Sequence, residues 1–274
     1  MASANRRVLP GFSLSLGYTV TYLSLLVLLP IAACFARACS LSMHEFLNAV
    51  WNERARAAYA LTFGASFAAA VINVIVGMLI AWVLTRYSFP GRRLMDSLVD
   101  LPLALPTAVG GLVYASLYVK NGWLGRYLVP IGIHGAYSRL GIVLVLVFVG
   151  LPFVVRTVQP VLEEFDPEVE EASSSLGATR WQTFRHVTLP TMYPALVTGF
   201  ALAFARSIGE YGSVVFISGN MPFRTEIAPL LIVARLEEFA YSQATAIATV
   251  LLVISLAMLV VINLLENWTR RHEH

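Results

Sequence analysis

Arg206 and Glu210 lie four residues apart within an otherwise apolar run. On a helix that spacing puts both side chains on one face. A charge at the bilayer centre costs about 2.5–3.5 kcal/mol on insertion scales, so such a pair must be neutralised or wet. Two chemistries fit. The pair can neutralise itself inside a helix bundle. Alternatively, Arg206 sets the potential along a route for a divalent anion, and Glu210 offsets that charge so the anion is not trapped. Gly199, Gly209 and Gly212 would allow close helix approach and hinge-like movement, or serve simple close packing. Other chemistry is missing. The single lysine, Lys120, follows Val119, so there is no Gly-Lys-Ser/Thr phosphate loop. His44-Glu45 lacks the second histidine of a metalloprotease, and His134, His186, His272 and His274 are scattered. No Gly-x-Ser-x-Gly elbow occurs, and Cys34 and Cys39 imply no disulfide framework. ATP chemistry, redox chemistry and hydrolysis are excluded on these grounds. Any ATP-driven function needs the ATPase on another chain.

The elements that must hold these residues are membrane spans. Of 274 residues, 58% are apolar and 13% charged, with net charge +3 and mean hydropathy +0.72. That is too little charge to cover a soluble globule and too much grease for disorder. No basic tract marks a nucleic-acid partner. A spanning helix needs about 20 mostly apolar residues, and six segments qualify: Phe12–Ala36, Ala57–Leu84, Leu101–Val119, Leu140–Leu162, Pro194–Ser218 and Ser242–Leu265. The apolar runs are continuous, not alternating, which favours helices over a barrel. Pro102, Pro106, Gly110 and Gly111 predict that the third span is kinked or closely packed. Asp100 reads as an interfacial cap. Arginine placement favours both termini in the cytoplasm, with pairs at Arg6-Arg7 and Arg270-Arg271 and a cluster at Arg86–Arg93 on the inner side. The first apolar run is longer than a cleavable signal region of about 7–15 residues. The chain divides into residues 1–56 (first helix and outer segment), 57–265 (five-helix transmembrane domain) and 266–274 (cytoplasmic tail). Segment 40–56 and the loops 120–139 and 219–241 would form the outer face.

The inner loop between the fourth and fifth spans, about residues 163–190, is unlike the rest. Asp166 is a good N-cap, Pro167 fits the first helical position, and Glu168, Glu170 and Glu171 sit near that helix's positive end. Gly177 suits a left-handed C-cap. Thr179 with Gln182 completes a capping box opening a second helix, which Pro190 and Pro194 should end as the fifth span starts. Val169, Ala172 and Leu176 share one face of the first helix, and Trp181 and Phe184 one face of the second. Such an amphipathic pair either docks into a partner's groove or folds onto the protein's own inner surface.

Glu171-Ala172-Ser173, three residues, Gly177, nine residues, then Val187-x-Leu189-Pro190 resembles the EAA loop of ABC importer permeases. Ser173 and Val187 replace the pattern's Ala and Ile. Thr85-Arg86-Tyr87-x-Phe89-Pro90-Gly91-Arg92, Asp100-Leu101-Pro102-x-Ala104-Leu105-Pro106, the run from Pro152 to Leu162, and Arg206-Ser207-x-Gly209-Glu210-x-Gly212 extend the likeness over nearly the whole chain. With the opening Arg6–Phe12, it is closest to the sulfate/thiosulfate (CysT-type) branch; molybdate permeases are similar but shorter in the first segment.

The resemblance implies an all-α integral membrane protein of the bacterial inner membrane, with six helices in a type I ABC importer permease fold. Its coupling helix would contact the ATPase through Glu171, Ala172, Ser173, Leu176, Gly177, Trp181, Leu189 and Pro190. Glu171 and Gly177 would shape the turn, and Ala172 and Ser173 keep the contact close. Arg206, Gly209, Glu210 and Gly212 would border the pathway. The implied partners are a second permease subunit, two copies of an ATP-binding subunit that carries ATP and Mg, and a periplasmic binding protein. The chain itself would bind no cofactor and catalyse nothing. Molybdate or tungstate as cargo remains an alternative. An ion-coupled secondary transporter would show broken helices in two symmetric halves, and no such repeat is apparent. A membrane enzyme would need more than Arg206 and Glu210.

Overall fold

A computed structural model describes residues 12–271, and the regular structure among them is helical. Residues 1–11 and 272–274, with the opening Arg6-Arg7 motif, lie outside the described residues. The first span is α1 (Phe12–Leu23), a π turn at Ser24–Leu28 and α2 (Leu29–Ala38). The π turn stands just ahead of Pro30, whose missing N–H and bulky ring cannot continue a regular α-helical ladder. After α3 (Met43–Val50), which is opened by a Ser42–Glu45 capping box, comes the long α4 (Glu53–Arg86), capped by Asn52. Its 34 residues extend about 50 Å at 1.5 Å per residue. The buried face of α4 is built from Ala55, Ala58, Ala65, Ala69, Gly77 and Ala81, and small residues let a neighbouring backbone approach closely.

The third expected span is discontinuous. α5 (Arg92–Val99) and the single turn α6 (Leu101–Ala104) precede an extended Leu105, and α7 (Thr107–Tyr118) follows. A residue before proline is pushed out of the helical region, here Leu105 by Pro106. At 12 residues, α7 is too short to cross a bilayer as a regular helix by itself. A short helix, α8 (Gly125–Leu128), and a 3-10 turn lead to α9 (Arg139–Glu164), capped by Ser138.

α10 (Pro167–Ser175) and α11 (Arg180–Thr183) form the loop between α9 and α12. The expected stop at Pro190 and Pro194 does not occur. A second π turn, Phe184–Thr188, carries the chain into α12 (Leu189–Ile208), so one helical run extends from Arg180 to Ile208. Pro190 comes just after the π turn, where the wider ladder tolerates its missing N–H, and Pro194 is accommodated inside α12. The fifth span therefore starts well before Pro194 and stops at Ile208, ahead of α13 (Gly212–Ser218). α14 (Ala228–Glu237) and α15 (Tyr241–Arg271) complete the chain.

Among the described residues, five helical runs are long and apolar enough to cross a membrane: Leu14–Ala38, Glu53–Arg86, Arg139–Glu164, Arg180–Ile208 and Tyr241–Ile262. The sixth expected crossing is the broken α6–α7. The largest core cluster joins Val154, Val155 and Val158 of α9, Met192 and Phe204 of α12, and Ala81 and Leu84 of α4. The outer flanks of α1 are exposed, with Leu14 and Tyr18 among them. Charges sort to the two ends. Arg54 forms a two-bond ion pair with buried Glu226 at one end (both 2.7 Å), and Arg86 and Arg156 find carboxylates at the other.

Candidate functional site

The inner loop is a bent pair of helices whose ends are capped as the residues dictate. Asp166 accepts from the Glu168 N–H (2.9 Å). Gly177 takes φ of +86°. The Ala178 N–H bonds the Ser173 carbonyl (3.2 Å) and the Gly177 N–H the Ser174 carbonyl (3.0 Å), a Schellman stop that needs a left-handed residue. Thr179 and Gln182 cap each other's backbones. The hydroxyls of Ser173 and Thr183 meet at 3.0 Å and tie the arms together. The apolar residues divide between two roles. Phe184 turns inward, edge-on to Trp82 of α4 with ring centroids 5.7 Å apart. Leu176 is 89% exposed, Trp181 67% and Val169 45%. Glu171 and Ala172 are exposed as well, and Glu171 has no hydrogen-bond partner or ion pair among the described residues. Leu189 and Pro190 belong to the start of α12 rather than to the exposed elbow.

Within the bundle, Arg206 and Glu210 form an ion pair (2.6 Å). The helix face they were expected to share ends between them, because α12 stops at Ile208 and Gly209 is its C-cap. Glu210, 2% exposed, serves two partners. One oxygen takes Arg206; the other accepts from the N–H and hydroxyl of Ser213 (2.9 and 2.8 Å). The carboxylate thus caps α13, at the end of a helix that favours negative charge. Of the glycines expected to permit close approach, Gly199 and Gly212 do so: a Cβ on Gly199 would lie 3.0 Å from the Val154 Cα, and one on Gly212 would collide with Thr107. Gly209 does not, as its surroundings are open. Gly111 also abuts the Ser213 backbone; because Thr107 opens α7 and Gly212 opens α13, the breaks before the two helices lie side by side.

Asp100 corrects another expectation. It caps no helix with its side chain. Both its oxygens accept from Arg156 of α9 (2.9 and 2.6 Å). The Arg156 guanidinium beside Asp100 holds its carboxyl below the usual carboxylate range. Arg156 also bonds Asp96 (2.6 Å) and Gln159 (2.7 Å), pinning α5 and the turn into α6 onto α9. The i, i+4 spacing of Asp96 and Asp100 was the available signal: two acids on one face need a cation. A second pair at the same end, Arg86 with Glu170 (2.8 Å), joins α4 to α10. Its partners are 84 residues apart, and no local pattern announces it.

The profile of the family described as "Binding-protein-dependent transport system inner membrane component" matches residues 73–272. The chain belongs to this family. The permease is 50% identical over 267 residues to the "Sulfate transport system permease protein CysT" of Salmonella typhimurium, covering 97% of this chain and 96% of that one. It is 49% identical to the protein of the same name from a Synechocystis species, covering 93% and 89%. Among solved structures, its fold resembles a bacterial ABC transporter involved in the import of the acidic polysaccharide alginate: TM-score 0.77, 16% identity, 94% of each chain covered. A methionine ABC transporter, MetNI, is more distant, with TM-score 0.57, 18% identity and 76% and 93% covered. The permease has the fold of an ABC importer's membrane subunit.

Proposed function

We propose that this permease is a membrane subunit of an ATP-driven importer for sulfate and thiosulfate. A separate ATP-binding subunit docks against its elbow. The observation that carries the reading is the elbow itself. It is firmly capped at every turn, yet it leaves Leu176 almost fully exposed beside Trp181. Apolar side chains on a rigid, water-facing elbow find burial in a groove of another protein. The choice of anion rests on relatives at 49–50% identity that are named sulfate permeases. A periplasmic binding protein delivers the anion to the outer face, as suggested by the alginate transporter whose structure holds a substrate-bound periplasmic protein. A second permease subunit completes the pathway. Both termini lie in the cytoplasm. ATP and Mg reside on the partner, and this chain transmits force. The Arg206–Glu210 pair, Gly209 and Gly212 border the route, with Glu210 balancing Arg206 so that a divalent anion is attracted without being held.

The test is reconstitution in vesicles with the second permease subunit, the ATP-binding subunit and the binding protein, followed by radiolabelled sulfate uptake. Uptake should require the ATP-binding subunit, and Leu176→Asp should remove that subunit from the purified complex. Sulfate movement by the permeases with no nucleotide-hydrolysing subunit would overturn the reading.

A further inference from the structure

The elbow reaches the bundle by three routes of unequal stiffness: the two-residue link Phe165-Asp166 to α9, the continuation into α12 and an ion pair to α4. The continuation into α12 passes through the π turn Phe184–Thr188. A π turn widens the ladder and packs its backbone less regularly than an α-helix, and it recurs at functional positions. The third route is Arg86, the last residue of α4. Its guanidinium donates to Glu170 of α10 (2.8 Å) and is flanked by the rings of Trp82 and Phe165, with centroids at 5.4 and 5.7 Å. The same Glu170 oxygen accepts from the Thr188 hydroxyl at 3.2 Å. A charge-assisted bond is roughly twice as strong as a neutral one, so Glu170 is held to α4 more firmly than to the π turn. Direct packing between elbow and α4 is incomplete: a cavity of about 260 Å³ opens between Trp82, Glu170, Ser174, Arg180 and Phe184. Glu170 borders that gap, and its ion pair with Arg86 is a direct polar tie from α10 to α4. From Arg86, α4 continues as an unbroken helix through Gly77, pressed against Val154 of α9.

We propose that Arg86 and Glu170 are positioning residues that form the drive joint of the permease, transferring displacement of the elbow into α4. The proposal rests on the reading of the elbow as the ATPase docking element.

The experiment uses the complete transporter in vesicles and reads two quantities from one sample: sulfate taken up and phosphate released from ATP. Arg86→Glu and Glu170→Arg should each lower uptake per ATP about tenfold, within the range of ordinary coupling energies, with the ATP-binding subunit still bound. Arg86→Glu combined with Glu170→Arg should restore the ratio to near the parent value. Glu170→Gln keeps shape and the Thr188 contact but removes the charge, and it should lower the ratio too; it carries the test if the reversals fail to assemble. An unchanged ratio overturns the joint. So does a parallel fall of uptake and hydrolysis, or loss of assembly in Glu170→Gln, since each marks a merely structural pair. Failure of the docking reading looks different: the unaltered permease would not retain the ATP-binding subunit at all.

Discussion

Gly177 shows how one residue sets the shape of the elbow. A Cβ there would meet open space, but the backbone sits at φ +86°. The cost of a side chain is therefore conformational, about 1–2 kcal/mol for a non-glycine residue in the left-handed region, and not a clash. Gly177→Asn should be tolerated better than Gly177→Val, because asparagine visits that region more readily. Gly177→Val and Glu171→Lys should lower ATP-coupled uptake about fivefold or more while the protein's level in the membrane is unchanged, which immunoblotting beside transport assays would check. Glu210 makes the complementary point. Its pairing with Arg206 was legible from spacing alone, but its second task, capping α13 through Ser213, was not. A cap is recognised only once the helix break at Gly209 is known, and a glycine there fits close packing as well as a stop.

Among the elements, the long apolar runs were readable because burial in lipid demands an uninterrupted hydrogen-bonded ladder. The break at Leu105-Pro106 was foreshadowed by the prolines. Pro190 misled for a physical reason: a proline stop is a local rule, and the π turn that lets the helix pass is stabilised by contacts outside the local pattern, such as Phe184 on Trp82. The clamp of Arg156 on Asp96 and Asp100 belongs to the same scale, since it fastens α5 and α6 to α9. The Asp100 carboxyl titrates below its ordinary 3.8 because Arg156 favours the charged form. A carboxylate of lowered pKa adds stability above its unfolded value, and this is lost as pH falls through the folded one. Thermal melts of the parent and Asp100→Asn should therefore differ by a constant margin from pH 8 to about 5 and converge in stronger acid. A margin that closes between pH 8 and 6 would contradict the assignment.

At the scale of the whole molecule, the ion pairs sort the chain into two aqueous ends, with Arg54–Glu226 at one and Arg86–Glu170 and Arg156–Asp96 at the other. Arginine placement makes the same grouping, with Arg54 at one end and Arg86 and Arg156 at the other. The expected compartments can be read by labelling. Cys39 is exposed beyond the end of α2 and should react with a membrane-impermeant maleimide added to spheroplasts. A cysteine placed at Ser175 of the elbow, in a background with Cys39→Ser, should react only after the membrane is opened. The reverse pattern would invert the topology. The length of α4 gives this sidedness a mechanical meaning. The hydrocarbon barrier is about 30 Å thick, and a helix of 34 residues outreaches it, with a charged fastening near each tip. Such a strut gives the two water compartments a common solid member: a shove on one shore reaches the other without crossing a single flexible joint.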